Sequence, residues 1–174
     1  MGIYYGIDYK VILVPPPTQK TLTQLLLDSS ALKNYGFNIQ INVSSPSILS
    51  EPPISSEIKS VPVMAHLDTG ASITSIDNRL AKHLGLLGIG KTQTYTAGGL
   101  CEADTYIADI SFPNTALKPF TNMQISSCKL PYTMDFDNPA YLAPENFGVL
   151  IGRDVLANWN VNWNGLASIV LISD

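Results

Sequence analysis

Val61-Pro-Val-Met-Ala-His-Leu-Asp-Thr-Gly-Ala-Ser-Ile-Thr-Ser-Ile76 is the stretch on which the reading of the whole chain turns. An apolar run of strand type delivers Asp68 to its end, and Thr69-Gly70 follow at once, where the backbone must turn sharply. Asp68 lies between Leu67 and the small group Thr69, Gly70 and Ala71, so the pattern holds a carboxylate at the edge of a core. Such a group needs hydrogen-bond donors, a partner charge or a proton. Residues two apart on a strand share a face, which points His66 and Met64 to the same side as Asp68. His66 is therefore a candidate to line a substrate pocket, against the alternative of a satisfied structural histidine.

Asp68-Thr69-Gly70-Ala71-Ser72 resembles the active-site signature of aspartic proteases. Ala71, where two-lobed pepsins usually carry a hydroxyl residue, makes the resemblance specifically retropepsin-like. A second stretch matches in the same chain order. Phe147-Gly148-Val149-Leu150-Ile151-Gly152 reads as a buried strand ending in glycine, and Arg153 to Trp159 follow as a short helix. The resemblance spans roughly residues 36 to 174 and is specific mainly at 68–76 and 148–156. It implies a mainly β fold, a retropepsin-like acid protease half-barrel of a single lobe with one or two short helices. It also implies an aspartic endopeptidase that acts without cofactor or metal. Asp68 is then the catalytic residue. Thr69 would bond across a two-fold axis to its counterpart, and Gly70 would let its amide approach the carboxylate. Leu150, Ile151 and Gly152 would pack beneath the Asp68 loop, and Arg153 would tie the following helix to neighbouring backbone.

Hydrolysing a peptide bond without metal or covalent intermediate takes one group to remove a proton from water and another to protonate the carbonyl. Two adjacent carboxylates sharing one proton can do both. This chain supplies one half of such a pair, because Asp28-Ser29-Ser30 and Asp104-Thr105-Tyr106 both lack the glycine. A functioning pair therefore needs Asp68 from each of two chains, with the site on a two-fold axis. Ala71 brings no hydroxyl to the loop, so a weakly acidic optimum is expected. A second reading is a catalytically silent retropepsin-like domain that binds peptide or mediates dimerisation. A third takes Asp-Thr-Gly as a chance loop in an unrelated β protein.

Composition bounds the remaining possibilities. The chain has 174 residues, 45% of them apolar and 14% charged, which suits a globular chain able to bury its own core. A formal charge of −4 argues against nucleic acid or an anionic membrane as main partner. Val11–Val14 and Leu25–Leu27 are the longest apolar stretches and fall far short of a membrane span. No leader pattern opens the sequence. Cys101 and Cys128 lack metal-ligand spacing and are expected to be free thiols in a reducing cytoplasm.

Residues 1–35 read as an accessory strand, Tyr9–Val14, and a helix face formed by Leu22, Leu25 and Leu26. The protease-like domain is expected over 36–174. It begins with the half-buried alternation of Phe37, Ile39, Ile41 and Val43, followed by a long Ser- and Pro-rich loop at 44–60. Asn78–Leu84 has helical spacing with Gly85 as its stop, and His83 lies on the surface of its last turn. Lys91–Thr96 and Leu100–Ile107 form a hairpin whose tip, Ala97-Gly98-Gly99, is the candidate flap over substrate. Gln124–Cys128 reads as a further strand and 129–146 as a second long loop. Asn164-Gly165 predicts a two-residue hairpin turn before the terminal strand Ala167–Ile172, which is apolar on both faces from Ile169 onward and wants cover that a second subunit could give.

Overall fold

The computed structural model describes residues 3–7, 10–14, 36–46, 60–96, 98–132, 135–143, 146–164 and 169–174. The predicted helix around Leu22, Leu25 and Leu26, the candidate flap residue Ala97 and most of the 44–60 loop lie outside them. Strands β1 (Ile3–Ile7) and β2 (Lys10–Val14) form an antiparallel hairpin at the N-terminus. The β3 (Asn38–Ser44) side chains Ile39, Ile41 and Val43 are buried, as the period of two requires of a strand with one face on a core. β4 (Ser60–Leu67) pairs antiparallel with β3 and carries Val61, Val63 and Ala65 into the same interior.

β5 (Ser75–Asp77) leads directly into helix α1 (Asn78–Leu84). The Asp77 carboxylate accepts the Arg79 amide at the helix start, and Gly85 closes the other end with φ 63°. Leu80, Ala81 and Leu84 form the buried helix face. β6 (Gly88–Thr96) and β7 (Gly99–Ser111) make a long antiparallel hairpin, and β7 continues past it to pair with β8 (Phe120–Cys128). A 3-10 turn at Pro139–Leu142 interrupts the following loop. β9 (Phe147–Ile151), helix α2 (Arg153–Leu156), β10 (Asn160–Asn164) and β11 (Ile169–Ser173) complete the order.

The main sheet runs β3-β4-β9-β5-β8-β7-β6, and an additional β3–β7 pairing closes the first six of these into a barrel. β6 projects beyond it as the outer arm of the hairpin. The interior is filled by branched aliphatic side chains, among them Ile41, Val63, Ile76, Ile110, Ile125 and Ile151, all fully buried. Phe112 packs edge-on against Trp159 at one end, with ring centroids 5.1 Å apart. From β11, Val170 and Ile172 add to this core, and β1 runs beside the same strand.

The turn before β11 differs from the sequence expectation. Asn164 is the last residue of β10 and pairs with Ile169, so residues 165–168 make the connection. A two-residue turn at Asn164-Gly165 would set Trp163 opposite Leu166 and leave Val170 and Ile172 beyond the ladder. Burial of those two side chains overrides the local turn preference.

Candidate active site

Asp68 is the first residue after β4, and its position is set by the adjoining parallel strand. Leu67 pairs with Ile151, and the Asp68 amide then donates to the Ile151 carbonyl at 2.9 Å. The chain turns back immediately, with the Ala71 amide donating to the Asp68 carbonyl at 3.2 Å. In the same turn the Gly70 amide donates to Asp68 Oδ1 at 2.8 Å and the Ala71 amide at 3.3 Å. Two backbone donors thus converge on one oxygen of a half-buried carboxylate, which fixes its orientation. A side chain at position 70 would crowd that oxygen, since a Cβ there would lie 3.1 Å from it.

A second loop interlocks with the first. The Arg153 amide donates to the Ala71 carbonyl at 3.0 Å, and Arg153 Nη1 donates to the Thr69 and Gly70 carbonyls at 2.9 and 3.3 Å. Gly152 passes so close to the backbone of Ile73 and Thr74 that a Cβ would come within 2.6 Å of Ile73 C. Ile151 is fully buried beneath this junction, whereas Leu150 turns one face to the cavity beside Asp68.

Two residues that sequence reading did not single out complete the junction. Thr74 donates from its amide and hydroxyl to the two carboxylate oxygens of Asp154 at 2.9 and 2.7 Å. Its hydroxyl oxygen also accepts the Gly152 amide at 3.0 Å. Their only sequence signal is weak, a hydroxyl residue in the apolar stretch after Asp-Thr-Gly and an acid directly after Gly-Arg.

A cavity of about 710 Å³ opens beside Asp68. The hairpin forms one side through Thr94, Tyr95 and Thr96 on β6 and Cys101, Glu102 and Ala103 on β7. At its tip the Gly98 amide and the Gly99 carbonyl both bond the Thr96 hydroxyl at 3.2 Å. Tyr95 is 83% and Leu100 54% exposed, so the tip carries apolar surface without packing on the barrel. The lining also includes the polar residues Ser75, Asn78, Ser126, Ser127 and Lys129. Asn78 Oδ1 is the one buried side-chain polar atom without a partner among the described residues.

His66 is held away from this cavity's lining. Its Nδ1 is 2.5 Å from Asn38 Oδ1, an arrangement that puts the ring proton on Nδ1, and the ring stacks on Phe147 at 4.9 Å. Burial lowers its pKa below the usual histidine value, only partly opposed by the charge of Asp68. His83, on α1, stacks on Phe136 at 4.2 Å rather than standing clear in solvent. Burial, aided by the charge of Asp77, pushes the Cys128 thiol up to about 12. Cys101 and Cys128 are both free. Among the described residues no group of His, Cys, Asp and Glu could hold a metal ion.

Residues 54–155, more than half of the sequence, match the family model of the aspartyl proteases. The chain belongs to the aspartyl protease family. Its described residues form a mainly β barrel with two short helices. A crystal structure of a retropepsin-like aspartic protease from Rickettsia conorii is similar to it at 14% identity and a TM-score of 0.39, covering 78% of this chain and 91% of that one. A comparison with curated proteins found no match. In this aspartyl protease chain Asp68 directly follows the strand beside β9, with the Gly152–Arg153 loop bonded to the turn that comes next. Among its described residues no helix is long and apolar enough to cross a membrane.

Proposed function

We propose that this protein is an aspartic endopeptidase whose site is completed by two copies of the chain, each contributing Asp68. The observation that carries this reading is one carboxylate, gripped by the Gly70 and Ala71 amides at the edge of a large cavity, with no second such acid beside it among the described residues. Glu102 is the other carboxylate on the cavity wall, and it pairs with Lys91 on the hairpin at 2.5 Å. Hydrolysis needs a second acid facing the first.

In the dimer, one Asp68 carboxylate takes a proton from a water lying between the pair while the other, protonated, gives its proton to the substrate carbonyl. The water oxygen bonds the carbonyl carbon, and the resulting gem-diol breaks its carbon–nitrogen bond as a proton passes from the acids to the departing amine. Thr69 is exposed, and its hydroxyl makes no hydrogen bond within the described residues; in this scheme it bonds its counterpart across the axis. Exposed Ile73, Val161 and Trp163 supply apolar surface for a second copy to cover. The β6–β7 hairpin, with Gly98 and Gly99 at its tip, is the flap that closes on substrate and excludes water.

We further assign residues 36–174 to the protease domain and residues 1–35 to an accessory element. The free thiols fit a cytoplasmic setting. The test is cleavage of a peptide library by the purified chain, sensitive to pepstatin and lowered at least about a thousandfold by Asp68→Asn. A stable dimer in which neither protein cleaves any peptide would replace this reading with a peptide-binding module.

A further inference from the structure

The polar wall of the cavity is unevenly charged, and this bears on what a bound peptide presents to it. At the end of β8, Ser127 accepts the Asp104 amide at 2.9 Å through its hydroxyl oxygen, so its own hydroxyl hydrogen is free of that bond. Ser126, 95% buried on β8, lies 3.0 Å from Ser75 of β5 through their hydroxyl oxygens. Lys129 follows one residue beyond the strand, lines the same cavity and makes no ion pair among the described residues. On the adjoining strand β7 Glu102 is already paired with Lys91, and Asp68 has its donors in the Gly70 and Ala71 amides. The corner therefore offers a hydroxyl donor and a cation that makes no ion pair among the described residues, while the neighbouring Asp77 carboxylate is already paired with Arg79 and the charge of Asp104 acts on Lys91.

We infer that Ser127 and Lys129 form a subsite for the carboxylate of an acidic side chain, Glu or Asp, in the bound peptide, with Lys129 as the residue that sets this preference. The inference rests on the cavity being the peptide cleft proposed above. A neutral carboxamide of the same shape gains the hydroxyl but not the charge, and a cationic side chain meets repulsion from Lys129. Because Lys129 is exposed, the preference is moderate and weakens as salt screens it.

The test uses the full chain carrying Asp68→Asn, so that binding is read without turnover. Fluorescence polarisation is measured with short peptides, acetylated and amidated so that only side chains carry charge, in which one position at a time holds Glu, Gln or Lys. At one position Glu should bind roughly threefold to tenfold more tightly than Gln, and Lys more weakly than either. Lys129→Gln should erase the difference, Lys129→Glu should turn it toward Lys, and raising the salt should shrink it. Equal binding of the Glu and Gln peptides at every position, no binding of any, or a Glu preference that survives Lys129→Gln overturns the inference. Activity of the wild-type chain separates the two claims. Salt-sensitive selectivity without cleavage leaves the subsite and removes the hydrolytic reading, whereas cleavage without selectivity does the reverse.

Discussion

Asp68 is held by groups that have no freedom to replace one another. Its amide is committed to Ile151, its Oδ1 to the amides of Gly70 and Ala71, and the loop bearing those amides to Arg153. Gly152 is the tightest point of this arrangement, since its missing side chain admits the backbone of Ile73 and Thr74. Gly152→Ala should therefore cost about 1–3 kcal/mol by overpacking against backbone that cannot step aside. Thermal denaturation should show the lowered midpoint, and peptide cleavage should fall with it; an unchanged midpoint would mean that the loops are looser than described. Asp68, Gly70, Gly152 and Arg153 were legible as short motifs because each is constrained by the backbone immediately around it. Thr74 and Asp154 were not, because their bond spans 80 residues of sequence and neither type is distinctive alone. His66 was legible only in part. Alternation placed it on the Asp68 side of β4, but the pairing with Asn38 and the stacking on Phe147 depend on other strands.

That environment gives His66 a pH signature. Its folded pKa is lowered, so as pH falls below about 6.5 the unfolded chain takes up the proton first and stability declines until the folded pKa is passed. His66→Gln should flatten this part of the profile. Melting temperatures of both proteins across pH 7 to 5 give the check, and parallel slopes would contradict the assigned cause. Substrate preference is the second readout, and an unchanged cleavage profile in His66→Leu would remove His66 from the peptide-binding residues.

Among the elements, α1 depends most visibly on one side chain. The buried Asp77 carboxylate caps the helix through the Arg79 amide, pairs with the Arg79 guanidinium at 2.8 Å and accepts the Leu130 amide at 3.0 Å. Burial raises its pKa, but these donors and the Arg79 charge together outweigh that and hold it below the ordinary carboxylate value. Its stabilisation is present above the unfolded pKa and is lost as pH falls through the lowered folded one. Asp77→Asn leaves the Leu130 amide and the guanidinium poorly paired and should cost about 2–4 kcal/mol at neutral pH, with a smaller difference under strongly acidic conditions. Urea denaturation at the two pH values measures this. Equal loss at both would assign the effect to packing rather than charge. α1 and the hairpin were readable because helical spacing with a glycine stop marks the first and the paired glycines of the tip mark the second. β1 was not, because Ile3-Tyr4-Tyr5-Gly6-Ile7 lacks alternation and has a glycine inside. The turn before β11 was misread because its Asn-Gly signal is local, while the register is decided by where Val170 and Ile172 are buried.

In the whole molecule, closure of the barrel through β3 and β7 accompanies the junction of the two loops at Asp68 and Gly152, and hairpin residues line the cavity beside Asp68. The mainly β, single-lobed architecture could be read from the two motifs and the strand periods. Closure could not, because the Asn42–Ser44 pairing with β7 is a contact between distant segments with no sequence mark of its own. β11 offers the same lesson, since its apolar character suggested cover from another chain while Val170 and Ile172 enter the barrel core and β1 runs alongside. The proposed dimer must therefore form around an N-terminal hairpin that already occupies space beside β11.

The stoichiometry of pepstatin binding by isothermal titration calorimetry tests the central claim most directly. One catalytic centre built from two Asp68 residues predicts one inhibitor bound per two chains, with no heat of binding from Asp68→Asn. One inhibitor per chain, or binding that survives that substitution, would contradict it.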